Sequence, residues 1–151
     1  MAGTGIATQY DLTDSAGAYQ ADIGAESLTT DRDVYFSGGT NAGDLCMIDT
    51  ADTTYGLGKS VKACDSADTA LAVGFSVETT SAGAFGKIRT YGPMQNANVD
   101  AGIAAGVALA SKASPSGRTT TATFDDDLII AVTLETSVAG NTGDIFITIG
   151  G

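Results

Sequence analysis

The chain has 151 residues, 43% of them hydrophobic, with 20 glycines against 2 prolines, no tryptophan and no histidine. That length supports one ordinary core burying about 70% of the unfolded surface, and the glycine-rich composition fits a many-turned all-β chain better than a helical bundle. Eighteen acidic residues against 7 basic ones, a net charge of -11, repel duplex DNA and anionic membranes on average, so neither nucleic acid nor membrane is an expected partner.

Residues 1–35 contain scattered apolar positions, Ile6, Tyr10, Leu12, Tyr19, Ile23 and Leu28, without a sustained period of 2 or 3.6. They carry Asp11, Asp14, Asp22, Glu26, Asp31 and Asp33 against Arg32 alone. This composition predicts an extended, flexible N-terminal arm, with no more than a short helical turn at 22–28, since Gly24 interrupts it. The start lacks a basic n-region and an apolar h-region, so no secretory signal is expected. The longest wholly apolar run, 102–110, is too short to span a bilayer. A soluble protein made in the cytoplasm is the expectation.

Residues 36–151 are expected to form the β domain. Strand signals begin at 34–37, turn through Gly38-Gly39-Thr40-Asn41, and resume at 45–48. A polar loop at 49–57 leads to alternation at 59–64, and 65–69 turns the chain into a hairpin at 71–92. There Val73, Phe75 and Val77 alternate with Gly74, Ser76 and Glu78, the period of a half-buried strand. Gly83 and Gly86 supply a loop with positive φ, and Ile88 and Thr90 return. The alanine-rich stretch 98–110 contains Gly102 and Gly106, each costing about 1 kcal/mol in a helix, and reads as turn plus strand.

The same grammar recurs 57 positions later. Val73, Phe75 and Val77 fall on Ile130, Val132 and Leu134, while Glu78, Thr79, Ala82, Gly83, Gly86 and Ile88 fall on identical residues at 135, 136, 139, 140, 143 and 145. Upstream, Ala42-Gly43 and the strand after it match Ala105-Gly106 and its strand, and Gly58-Lys59-Ser60-Val61 matches Gly117-Arg118-Thr119-Thr120. The prediction is an all-β sandwich or small barrel of two duplicated units, about 37–92 and 93–151, with Phe75, Val77, Val132 and Leu134 facing the interior. Neither unit of about 60 residues buries enough core to be comfortable alone.

Catalytic signals are sparse. Without histidine the usual general base and the commonest zinc ligand are missing. Cys46 and Cys64, with 17 residues between them, lack zinc-ribbon spacing and read as buried thiols. The run 74–78 starts like a nucleophile elbow but has Glu78 at its last position and strand context. Gly58-Lys59-Ser60 has Thr53 where a P-loop needs glycine, and Asp125-Asp126-Asp127 lacks calcium-loop spacing. Glu78 and Glu135 occupy matching strand ends. No catalytic residue, metal or cofactor is assigned.

The segment 58–92, with Gly58-Lys59, the Asp- and Thr-rich turn 65–69, Ala72-Val73-Gly74-Phe75, the loop 79–86 and Ile88 to Gly92, resembles the head-decoration (cement) proteins of tailed bacteriophages, the lambda-type head-stabilising family. The resemblance implies a small, often trimeric β-rich protein, made in the host cytoplasm, on the outer surface of an icosahedral capsid. There it clamps neighbouring major capsid subunits, and a flexible arm adds a strand to a coat-protein sheet. Its implied contacts are Ile6, Tyr10, Leu12 and Tyr19 of the arm. Lys87 and Arg89, in the least acidic stretch and opposite the core by alternation with Ile88, are the further candidates. The competing readings are a fibre-like or adhesive surface module and an acidic ligand-binding β-sandwich.

Overall fold

The structure, a computed structural model, describes residues 29–123, 127–138 and 142–149. Among these residues all regular structure is strand: β1 (Thr30–Phe36), β2 (Leu45–Ile48), β3 (Ser60–Ala63), β4 (Ala72–Ser76), β5 (Ala84–Asn98), β6 (Ala108–Ser111), β7 (Thr119–Thr121), β8 (Ala131–Thr133) and β9 (Thr142–Ile147). The hydrogen-bonded order β1-β3-β2-β4-β5 closes on itself through antiparallel pairing of β1 with β5, which makes a five-stranded barrel. From Gly92 onward β5 pairs with β9, and β9-β8-β6-β7 follow. A parallel bridge from Val99 to Thr119 closes this second set.

The two barrels repeat each other ladder by ladder. Ser76 opposes Ile88 as Thr133 opposes Ile145, and Phe75 opposes Arg89 as Val132 opposes Phe146, the 57-residue shift read from the sequence. Likewise Cys46 faces Gly74 as Leu109 faces Ala131. One correspondence moves by a residue: Ile48 pairs with Val61 as Ser111 pairs with Thr119, so Val61, not Ser60, matches Thr119.

The repeat boundaries differ from the sequence expectation. Phe36 pairs in parallel with Val61 as Val99 bridges Thr119, so β1 is the counterpart of the second half of β5. Residues 30–35, expected in the arm, thus supply the closing strand of barrel 1. Strand β5 crosses the expected break at Pro93 without stopping, because Pro93 falls where the strand passes from the first sheet to the second. The remaining arm residues lie outside the described part.

The faces also differ. Between Cys46 and Met47 the β2–β4 register shifts, and Val73 is the extra residue, a bulge that turns it into barrel 1 while Phe75 points out. The interior of barrel 1 holds Phe36, Cys46, Val61 and Ile88, with Val34 and Val73 packed against them. Leu45, Met47, Ala72 and Phe75 project outward and join Ala97, Val99, Leu109, Ile130, Ile145 and Ile147 of barrel 2 in one core. Phe75 is therefore fully buried between the barrels. Val132, the counterpart of Phe75 on the equivalent outward face of barrel 2, is half-buried, and Leu134, the counterpart of Val77, is 52% exposed. The expectation of interior positions for Val132 and Leu134 is corrected accordingly, and half-buried Val77 also faces outward.

Hydrogen bonds pin the junction. Leu45 N–H donates to Gly117 carbonyl at 2.7 Å, and Gly117 N–H to Cys64 carbonyl at 2.7 Å. The buried Asp44 carboxylate accepts from Asn41 N at 2.7 Å and from the Asn98 side chain. Gly117 has φ +78°, and a Cβ there would lie 2.6 Å from Asp44 Cγ. Of the two hairpin glycines, Gly83 has the expected positive φ of 81°, whereas Gly86 lies in the strand and has no room for a Cβ beside Thr80.

Two expected outcomes test this packing by chemical denaturation. Phe75→Ala should cost about 3–5 kcal/mol, while Leu134→Ala should stay within about 1 kcal/mol; equal costs would mean that the faces are reversed. Gly117→Ala should cost about 2 kcal/mol or more from backbone strain and the clash with Asp44, and a neutral result would disprove the junction geometry.

Candidate functional site

The outward face of the β1–β5 ribbon is built by register. Tyr35 opposes Phe85, Asp33 opposes Lys87 and Asp31 opposes Arg89, all pointing away from the barrel interior. Lys87 Nζ lies 2.7 Å from Asp33 Oδ1. The Arg89 guanidinium holds Asp31 with two bonds, Nε to Oδ1 at 2.7 Å and Nη2 to Oδ2 at 3.0 Å, and donates to Pro93 carbonyl at 2.8 Å. The hydrogen bond and charge of Asp33 raise the Lys87 pKa above its ordinary value. The two basic candidates therefore face outward as expected, but each already has a carboxylate partner.

At the end of this ribbon the rings of Tyr35, Tyr55 and Phe85 form a mutual cluster with centroids 4.7–5.5 Å apart. Phe85 is 65% exposed and Leu57, nearby in the same loop as Tyr55, is 74% exposed. Tyr55 and Phe85, both more than half exposed, forgo burial that would stabilise the fold, so this patch is the site that sequence reading passed over. Its signal was weak: Tyr55 and Leu57 lie in a loop read as polar.

The patch borders a cleft of about 600 Å³ opening into barrel 1, lined by the interior residues Val34, Val61, Val73 and Ile88 and rimmed by Arg32 and Lys59. A second groove of about 580 Å³ runs between the barrels past Val77, Met94 and Leu134.

Other sequence candidates resolve into structural roles. Ser76 is buried and its hydroxyl donates to Glu78 carbonyl at 2.6 Å. Ser60 donates to Asp52, and strand rather than helix follows Gly58-Lys59-Ser60. Cys46 and Cys64 are free and buried, and burial pushes both thiols upward in pKa. Glu78 and Glu135 are exposed. No group of three metal-ligating side chains occurs among the described residues. Ile6, Tyr10, Leu12, Tyr19, Asp125 and Asp126 lie outside them.

Asp100 collects two cations on barrel 2, Lys112 at 2.7 Å and Arg118 at 3.7 Å. Burial raises its pKa, but the hydrogen bonds from Lys112 and Thr120, with the charges of Lys112 and Arg118, outweigh it and hold the carboxyl below the usual range. A depressed folded-state pKa contributes stability that is present above the unfolded value, about 3.9, and is lost as pH falls through the folded one. Wild type should therefore lose its stability advantage over Asp100→Asn progressively as pH falls below about 4; a difference in melting temperature that stays constant on acidification would remove Asp100 from the account.

No family model and no curated protein matches the chain. Among solved structures, its fold is similar to the head fiber gp8.5 N base in bacteriophage phi29, with TM-score 0.56 and 12% identity over 80% of this chain and 95% of that one. At this identity the likeness is one of fold.

Proposed function

We propose that the protein is a structural component of a tailed-bacteriophage virion. It decorates the outer surface of the head and clamps neighbouring major capsid subunits, without catalysis, as a homotrimer. The observation that carries this reading is the tandem-barrel fold, whose likeness spans nearly all of a bacteriophage head-fiber base. That neighbour belongs to a head fiber rather than to the lambda-type decoration family, and it favours a second reading in which the chain is the base of a projecting fibre.

The charge supports an outer position, because -11 repels packaged DNA. Ion pairing supports a contact centred on Tyr35, Tyr55, Leu57 and Phe85, with Lys87 and Arg89 at its rim, since exposed aromatic anchors dominate interfaces while rim ion pairs add little. Several copies linked in one oligomer gain avidity without any single strong contact.

The test is add-back of purified protein to heads stripped of it, followed by heating and measurement of DNA release. Cementing predicts a higher release temperature on add-back, and unchanged retention rules it out. Co-sedimentation without a change in retention would leave the fibre-base reading in its place. The double variant Tyr55→Ala/Phe85→Ala should bind heads about 30-fold more weakly, some 2 kcal/mol, with its own melting nearly unchanged because both side chains are exposed.

A further inference from the structure

Barrel 2 shows how an opening of this kind is closed by protein. Its interior is continuous with the outward face of barrel 1, where Leu45, Met47 and Phe75 enter the shared core. An acidic residue leads this plug. Asp44, itself buried, directly precedes Leu45, and Leu45 N–H donates to Gly117 carbonyl at 2.7 Å. Gly117 leaves room for the carboxylate, since a Cβ there would lie 2.6 Å from Asp44 Cγ. A second fastening runs from Thr69 N–H to Ser111 Oγ at 3.1 Å.

By the matched ladders Ser111 is the counterpart of Ile48 and, with the strand continued two residues back, Gly117 is the counterpart of Lys59. Both counterparts line the cleft of barrel 1. Where barrel 2 makes space for the carboxylate of its plug, barrel 1 therefore sets a cation. Arg32 joins it from β1: alternation with Val34 and Phe36 places it on the interior side, and it lines the same cleft. Smaller side chains also deepen the apolar floor, with Cys46 and Thr90 where barrel 2 has Leu109 and Ile147. The resulting cleft of about 600 Å³ is the size of a binding site.

Charge singles out the same two residues. Five of the 7 basic residues, Lys62, Lys87, Arg89, Lys112 and Arg118, have carboxylate partners within 4 Å. Arg32 and Lys59 have none among the described residues, and both are exposed. Two such cations at an apolar mouth complement a ligand that is acidic at one end and apolar beyond it. The net charge of -11 opposes an acidic partner at long range, so this pair acts at contact, inside the Debye length of about 10 Å at 0.1 M salt.

We propose that the mouth of barrel 1 is a receptor site for an extended segment of a partner protein in which an acidic residue is followed by alternating apolar side chains. Lys59 and Arg32 hold its carboxylate, and its apolar side chains enter between Val34, Val61, Val73 and Ile88. A polypeptide is the occupant because the matched opening is filled by one: strand β2 with the residue before it supplies the acid, a backbone hydrogen bond and two of the three apolar side chains. The site adjoins the aromatic contact proposed above but does not rest on a virion role, and its test contains no heads.

The experiment titrates the isotope-labelled full-length chain with a capped synthetic peptide that copies residues 42–48 of this sequence with Cys46→Ser, and follows methyl signals. Saturable shifts are expected at Val34, Val61, Val73 and Ile88, and none at Leu109 and Ile130, with a Kd of about 0.1 mM. Binding should be about 10-fold weaker for the Asp44→Asn peptide, and for the Arg32→Gln/Lys59→Gln protein with the original peptide. Both substituted side chains of the protein are exposed, so its melting should match wild type. No saturable shift in the cleft would overturn the proposal, and so would equal affinity for the two peptides. Cleft shifts produced by decanoate but not by the peptide would make a small amphipathic anion the occupant. Cleft signals that move with protein concentration alone would make it a second copy, and either result sinks the partner segment.

Discussion

The structure depends on one face doing two jobs. Strands β2 and β4 wall the interior of barrel 1 with Cys46 and Gly74, and their opposite side sends Leu45, Met47 and Phe75 into barrel 2. A side chain the size of Leu or Phe contributes about 1.5–3 kcal/mol when fully buried, so these three residues bind the units into one cooperative body. The 15-residue strand β5 makes the same link covalently, since its two halves belong to different barrels. A tilt between the barrels would break the ladder of β5 and the junction bonds around Asp44 and Gly117 together.

The acidity of the chain is managed locally. On β1 and β5 the carboxylates of Asp31 and Asp33 are in register with Arg89 and Lys87, so a surface that looks basic along β5 alone is neutral as a ribbon. Exposed ion pairs of this kind contribute little to stability, but they fix long side chains and remove free charge from the face. What remains distinctive there is aromatic: Tyr35, Tyr55 and Phe85, rings that the core does not use.

Much of the repeat was legible in the sequence, and its failures have physical causes. The 57-residue shift appears in the ladders at Ser76–Ile88 and Thr133–Ile145, because strand pairing and side-chain period are both set locally. Which side of β4 is inside was not legible, since a bulge at Val73 reverses the alternation and Phe75 is buried by a different barrel. Nor was β1: its alternation of Arg32, Val34 and Phe36 with aspartates and Tyr35 is blurred by a charged residue on the cleft side. The ion partners of Lys87 and Arg89 lie 54 and 58 residues away, beyond any local pattern. The aromatic cluster likewise joins a loop to two strands only in three dimensions.

Comparing matched positions gives the tandem a direction. The outward face of barrel 1 is large, with Leu45, Met47 and Phe75, and it has a neighbour to fill. The matched face of barrel 2 carries Ala108, Ala110 and Val132, whose alanines pack with Ala122 in a small cluster of their own. Inside, the order reverses: Cys46 and Thr90 in barrel 1 give way to Leu109 and Ile147 in barrel 2. Units that stack along one axis diverge in this way because each position is selected by what lies beyond it, and terminal units lose the large residues that would otherwise be exposed. On that logic the alanine face marks the side of the tandem that takes no further barrel. The open interior of barrel 1 lies on the opposite side, where no described residue supplies what Leu45, Met47 and Phe75 supply to barrel 2.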